Sequence, residues 1–192
     1  MSEQPTVFTD AAALREWLDT HEATSDGIWL MLAKNGTVSP TSLTYAQALD
    51  EALCSGWIDG QKRSHDEATF VQRFTPRRAR SMWSMRNVEH VARLIDHGRM
   101  RPSGQHEIDR AKSDGRWDRA YAGSATVEVP DDVAAALRAA PAAQANFDAL
   151  TSQGRYSLLH PLITAPNEVT RARRLAKVME KLGGGPDAHD DK

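Results

Sequence analysis

The residues best suited to binding or catalysis are concentrated in one segment, Trp57 to Asn87. This segment contains six arginines, two tryptophans and two aspartates. An arginine is costly to bury unless it is paired. Such a cluster is therefore typical either of a network closed by carboxylates or of a site that binds an anion.

The anion-site interpretation rests on where the polar side chains fall along this segment. Arginines leave a predicted strand and continue into a turn, and small polar residues then stand at a helix start, where free N–H groups and the helix dipole favour an anion. Arginine forks beside such a start would hold a phosphate or carboxylate by paired hydrogen bonds, and the tryptophans could wall the site. The predicted ligand-binding residues are Trp57, Asp59, Arg63, Arg73, Arg77, Arg78, Ser81, Trp83, Ser84 and Asn87.

Two other interpretations of the same residues stay open at this point. Asp59 and Asp66 could close the arginines into an internal network, with the tryptophans as part of the core. Alternatively, Asp59 or His65 could act as a general base in an uncharacterised enzyme that acts on an anionic small molecule. The sequence does not decide between these interpretations, and it leaves the catalytic residues unknown.

The charge balance bears on the partner. The formal net charge is −2 and the pI is about 6.4. Ten Lys or Arg residues stand against four Asp or Glu residues between Lys62 and Arg101. A module that binds nucleic acid or a protein partner is therefore a minority interpretation, and we expect an anionic small molecule as partner.

Several other classes of site lack sequence support. There is no phosphate-binding loop, no dinucleotide glycine fingerprint and no metal-ligand spacing, so we expect no cofactor and no metal. The single cysteine, Cys54, stands near the end of an apolar helix, where we expect inert packing. No apolar run reaches the roughly 20 residues of a membrane span. We expect a cytoplasmic protein, and the oligomeric state stays open.

Short strands and helices must position the arginine-rich segment. Residues 28–32 predict a buried strand, followed by a hairpin turn at Asn35-Gly36 into Thr37-Val38. A capping box at Thr44 opens a helix that Gly56 ends, and residues 57–60 predict a tight turn. Thr69 to Phe74 alternate like a strand.

A helical region is predicted to follow. Helices are expected over 84–98 and 100–112, and then over 131–139, 142–152, 156–164 and 167–182. The fold class is α+β, with a small antiparallel sheet packed with helices and a helical C-terminal unit. We expect an α+β domain over 1–122, the C-terminal helical unit over 126–183 and a disordered tail over 184–192.

Several motifs of the chain form a recognisable set. They include Trp57-Ile58-Asp59-Gly60, the arginine–tryptophan block up to Asn87, and the run from Ala111 to Tyr121. Further motifs are Val129-Pro130-x-Asp132 and Thr170-Arg171-x-x-Arg174. This set resembles the motifs of the YdeI/OmpD-associated family, also described as bacteriocin-protection proteins. The resemblance extends over nearly the whole chain.

The resemblance implies a bacterial stress-response or antimicrobial-peptide-protection protein, and it supplies no catalytic residues. The chain departs from the expected pattern at two places. His160-Pro161 and Ala165-Pro166 stand where the resemblance leads us to expect a tryptophan and a lysine. We expect Pro161 to shorten or kink its helix.

Overall fold

The computed structural model describes residues 4–123 and 126–184 and has an α+β fold. This confirms the predicted fold class. In the described part of the chain the elements are α1 (Ala11–His21), β1 (Ile28–Ala33), α2 (Tyr45–Cys54), β2 (Trp57–Ser64), β3 (Thr69–Pro76), α3 (Met85–Asp96), α4 (Pro102–Ser113), α5 (Asp131–Arg138), α6 (Pro141–Ala149), α7 (Ser152–Ile163) and α8 (Glu168–Gly183).

The chain divides into two compact units. The N-terminal unit consists of Met1–Trp83 and Asn87–Arg119, and the C-terminal unit consists of Ser84–Arg86 and Ala120–Lys192. The tail expected over 184–192 lies outside the described residues except for Gly184, which follows α8.

The sheet of the N-terminal unit is antiparallel, with the strand order β1-β3-β2. Trp29 pairs with Arg73 and Leu30 with Gln72, so alternate positions share a face. Leu30, Leu32 and Phe74 are almost fully buried, at 1%, 0% and 1% exposure. This apolar face explains why β3 is recognisable from its alternation.

Two local predictions were wrong. Residues 57–60 start strand β2 instead of forming a tight turn, and a register shift between Asp59 and Lys62 interrupts its pairing with β3. The mostly exposed polar residues of β2 give no alternating pattern that would reveal a strand. The turn at Asn35-Gly36 forms, with Gly36 at φ +84°, but β1 pairs with the distant β3 and no strand is described at 37–38.

The capping box and the end of α2 are confirmed. Thr44 accepts a hydrogen bond from the Gln47 N–H, and Gly56 has φ +72°. Helix α4 approaches the end of α2 closely at Gly104. A Cβ atom added to Gly104 would lie 2.3 Å from the carbonyl oxygen of Cys54. The glycine therefore permits the contact between the two helices.

The C-terminal unit has its own apolar core, with α8 packed against α5, α6 and α7. Its buried residues are Val133, Leu137, Ala143, Phe147, Leu159, Leu162 and Leu182. Pro161 lies inside α7, and the helix continues to Ile163, so the proline does not end it. Arg174 donates a hydrogen bond to the Pro161 carbonyl oxygen at 2.5 Å, which satisfies one acceptor in the last turn.

Candidate functional site

Two of the predicted arginines meet at a tryptophan of β1. The guanidinium carbon of Arg63 lies 3.8 Å from the ring centroid of Trp29, and that of Arg73 lies 5.7 Å from the same ring. We call these three residues the Trp29 stack. Trp29 is 6% exposed, whereas Arg63 is exposed. The stack therefore has a buried indole base and a solvent-facing guanidinium.

The pairing of the three strands places these side chains on one face of the sheet. Trp29 and Arg73 are cross-strand neighbours in the β1–β3 ladder, and Arg63 pairs with Val71 in the β2–β3 ladder. Val71 and Arg73 are two residues apart in β3, so their side chains share a face. Pairing and alternation together bring two arginines from different strands to one ring.

A second pair of predicted residues forms a different stack. The guanidinium carbon of Arg77 lies 3.6 Å from the ring centroid of Trp83, and Trp83 contacts Trp117 at 4.9 Å between ring centroids. We call these three residues the Trp83 stack. Arg77 is 6% exposed and Trp83 is 1% exposed. This stack is part of the protein interior.

The turn after α4 holds the segment that carries the Trp83 stack. Arg116 is 6% exposed and donates to the Ser81 carbonyl oxygen at 2.7 Å. Its Nε and Nη2 atoms lie 2.8 and 2.7 Å from the Asp114 carboxylate. The Ser81 hydroxyl in turn accepts from the Arg78 N–H at 3.1 Å. Ser81 therefore links the turn after α4, through Arg116, to the segment between β3 and α3, through Arg78.

Trp57 and Asp59 contact residues outside both stacks. Trp57 is 1% exposed, meets Trp17 edge-on and donates to the Glu22 carbonyl oxygen at 3.2 Å. Asp59 accepts a hydrogen bond from the Tyr45 hydroxyl at 2.9 Å. Arg78 is exposed, Asn87 is a buried residue of α3, and Ser84 forms a bridge with Tyr121 in the C-terminal unit.

Asp66, one of the two aspartates that could close the arginines into a network, contacts the turn between β2 and β3. Its carboxylate accepts from the backbone N–H of Thr69 at 2.6 Å and of Ala68 at 2.8 Å, and from the Thr69 hydroxyl at 2.9 Å. His65 Nδ1 lies 2.9 Å from the same carboxylate. Hydrogen bonds led by the Thr69 backbone N–H lower the pKa of Asp66 to about 2. Asp66 thus organises the β2–β3 turn.

Sequence analysis missed a network in which arginines from other parts of the chain surround two carboxylates of α2. Glu51 is 2% exposed and accepts two hydrogen bonds from Arg15, at 3.0 and 2.8 Å, and one from Arg99 at 2.6 Å. Asp50 accepts from Arg93 at 2.6 Å. A signal was available, because two adjacent acids that an apolar helix buries require cationic partners.

Two motifs of the C-terminal unit also meet in space. The Arg171 side chain donates two hydrogen bonds to the Asp132 carboxylate, at 2.8 and 2.7 Å. It also donates to the Leu162 carbonyl oxygen at 2.7 Å. The hydrogen bonds from Arg171 to the carboxylate lower the pKa of Asp132. The motif residues Asp132 and Arg171 therefore tie α5 and α7 to α8.

Comparison with known families assigns the two parts of the chain separately. A family described as a domain of unknown function (DUF8412) matches residues 6–107, and the chain belongs to this family. The family described as "Bacteriocin-protection, YdeI or OmpD-Associated" matches residues 126–185. The second match confirms the predicted resemblance for the C-terminal part. No match was found among curated proteins or among solved structures.

These matches limit the confirmed resemblance to bacteriocin-protection proteins to the C-terminal part of the chain. The arginine–tryptophan block at 57–87 lies inside the range of the first family, whereas Asp132 and Arg171 lie inside the range of the second. The block is therefore not covered by the bacteriocin-protection match. Among the described residues, none of the helices is both long and apolar enough to pass through a membrane.

Proposed function

We propose that this chain is a bacteriocin-protection or stress-response protein whose N-terminal unit recognises an anionic group at the Trp29 stack. The bacteriocin-protection match over residues 126–185 supports the first part of the proposal. One observation carries the second part, namely an exposed Arg63 whose guanidinium carbon lies 3.8 Å from the Trp29 ring centroid.

Stacking leaves the binding capacity of a guanidinium intact. A guanidinium whose face rests on an aromatic ring keeps its N–H donors in the plane of the group, directed away from that ring. Within the described residues, the contact of the Arg63 side chain is this ring contact, with no carboxylate partner. Its donors are therefore available for a carboxylate or phosphate, which a fork of two N–H groups binds in a bidentate manner.

The stack also reduces the entropy that binding would cost. An exposed arginine normally loses on the order of 1 kcal/mol of rotamer freedom when a ligand immobilises it. The Trp29 ring already restrains Arg63, and it also contacts the guanidinium of Arg73 from the neighbouring strand. A pre-ordered donor group favours a small anion over diffuse binding to a polyanion.

The anion-binding part can be tested by titration of the full-length chain with inorganic phosphate, citrate and a nucleoside monophosphate, followed by NMR or calorimetry. We expect Arg63→Ala to weaken binding by about tenfold or more, since one hydrogen-bonded charged group contributes about 1.5–3 kcal/mol. Arg63→Lys should recover only a part of the affinity, because it keeps the charge and loses the planar fork.

Lys62→Ala is the matched control. Lys62 is also exposed and cationic and also lies over an aromatic ring, with its Nζ atom 4.3 Å from the Phe70 ring centroid. It precedes Arg63 in β2, so its side chain points to the other side of the strand. Equal losses in the Lys62 and Arg63 variants would show diffuse charge attraction and would remove the Trp29 stack as a site.

The protection part requires a cellular assay. Bacteria that express the full chain should survive a bacteriocin or antimicrobial-peptide challenge better than bacteria with an empty vector. If anion recognition serves protection, Arg63→Ala should reduce survival at equal protein level while Lys62→Ala does not. Survival that is equal with and without the chain would contradict the protection proposal, whatever the titration shows.

A further inference from the structure

The C-terminal unit contains a half-buried group of three aromatic side chains, Tyr121, Tyr156 and His160. The His160 ring centroid lies 4.7 Å from that of Tyr121, with an interplanar angle of 80°. It lies 5.3 Å from that of Tyr156, with an angle of 44°. We call these residues the aromatic cluster. Neither the sequence motifs nor the family matches assign it a role.

The backbone holds the cluster from separate parts of the unit. Tyr156 and His160 are four residues apart in α7, so they lie on the same helix face. Tyr121 is fixed by its main chain, whose carbonyl oxygen accepts from the Met85 N–H at 2.9 Å. The rings are therefore placed by an α-helix on one side and by a bridged extended segment on the other.

We propose that the aromatic cluster binds an ammonium or guanidinium group, such as the side chain of a lysine or arginine in a peptide. The arrangement of the rings favours a ligand group smaller than a planar aromatic ring. Phenol rings present electron-rich faces that attract cations. The Tyr121 ring meets His160 nearly at a right angle and the Tyr156 ring is tilted by 44°, so one compact cation between two such rings can touch both. A planar aromatic guest could stack on only one of them.

The electrostatic surroundings support a cationic guest. Burial lowers the pKa of His160, so the imidazole stays neutral at neutral pH and adds no repulsive charge. Burial, together with the neighbouring Tyr121, raises the pKa of Tyr156, so that phenol also stays neutral. The attraction therefore comes from ring faces and hydroxyl dipoles, and a neutral molecule of the same size would lack it.

The test uses the full chain and tetramethylammonium as the probe, with tert-butanol as a neutral molecule of similar size and shape. NMR should show saturable shifts of the His160 ring protons with tetramethylammonium and much smaller shifts with tert-butanol. Tyr156→Leu should weaken the binding by about fivefold or more, because one face of the site loses its π system. Tyr156→Phe keeps the ring and should stay within about twofold of the unmodified protein.

Each other outcome overturns the inference. Equal binding of tert-butanol would show an apolar depression without charge selectivity. Absence of saturable shifts with either probe in the folded protein would show that the three rings only pack against one another. If Tyr156→Leu does not fold, a parallel titration of Tyr156→Phe with both probes still decides between charge recognition and packing. Because the aromatic cluster and the Trp29 stack share no residue, the failure of one proposal leaves the other standing.

Discussion

The Trp29 stack and the Trp83 stack use the same pair of residue types in opposite surroundings. The guanidinium-to-ring distances are almost equal, at 3.8 Å for Arg63 and 3.6 Å for Arg77. Arg63 is exposed at the surface of a strand, whereas Arg77 is 6% exposed. The contact itself is therefore not what distinguishes a binding surface from a piece of the core.

What differs is the use of the N–H edge of each guanidinium. In the interior, the Arg77 guanidinium is shielded from water and is held by the protein, with the Trp83 ring at its face and a hydrogen bond to the Met82 carbonyl oxygen at 3.4 Å. At the surface, Arg63 is exposed to solvent, and the anion-binding proposal depends on that exposure. The same contact with a tryptophan in the interior carries no such proposal.

A third arginine environment, the network on α2, provides the largest expected effect. Glu51→Gln would remove the buried negative charge that Arg15 and Arg99 surround, and it would leave Arg99 with its longer contact to Asp50 at 3.4 Å and Arg15 with solvent. We expect a loss of about 3 kcal/mol in the free energy of unfolding, the lower end for a broken buried ion pair. Urea denaturation followed by circular dichroism measures it. The exposed Glu16 on α1 is the control, and Glu16→Gln should change stability by less than about 0.5 kcal/mol.

The second prediction addresses the interior stack. Arg77→Ala removes a desolvated cation–π contact and the packing of a long side-chain stem against Trp83. We expect a loss of about 2–3 kcal/mol in the free energy of unfolding, given that a desolvated cation–π contact alone contributes about 2 kcal/mol. A loss no greater than that of Arg63→Ala in the same denaturation experiment would break the contrast between the stacks.

The third prediction addresses the exposed stack. Arg63→Ala should lower the free energy of unfolding by less than about 1 kcal/mol, because an exposed cation–π contact contributes about 0.5–1 kcal/mol. The same variant should show the strongest loss of anion affinity among the arginine variants. Chemical denaturation and calorimetry on one preparation measure the two quantities. A large stability loss with unchanged affinity would mean that Arg63 is structural.

The smallest effect is expected at the turn between β2 and β3, where acid should weaken the fold. The pKa of Asp66 is lowered from 3.8 to about 2 in the folded protein. A carboxyl group with a depressed folded-state pKa stabilises the fold above its unfolded pKa, and that contribution disappears as the pH falls toward 2. The melting temperature should therefore decline between pH 4 and 2 by more in the unmodified protein than in Asp66→Asn. Parallel declines in the two proteins would contradict this role.

Local patterns in the sequence were sufficient for much of the fold. The capping box at Thr44, the glycine at the end of α2 and the alternation in β3 are each decided by a few neighbouring residues. Strand β2 could not be predicted in this way, since most of its residues are exposed and its pairing is interrupted after Asp59. Its existence depends on β3, which follows later in the chain.

The candidate site, like the fold, was predictable only where neighbouring residues in the sequence determine it. The sequence indicated that arginines and tryptophans belong together, but it paired them by proximity along the chain. The ring under Arg63 belongs to Trp29, more than thirty residues earlier, and the β1–β3 and β2–β3 registers together bring the two side chains into contact. Whether an arginine edge faces water depends on the packing of several elements, and no short motif encodes it.

The close approach at Gly104 has a consequence for reading mutational data on this protein. An added Cβ atom would fall 2.3 Å from a backbone oxygen, which cannot move aside as a flexible side-chain tip can. In a saturation mutagenesis survey, position 104 would tolerate glycine alone and would look as important as any binding residue. Intolerance there reports on the spacing of two helices, so a survey scored only by survival would point to this crossing before it pointed to Arg63.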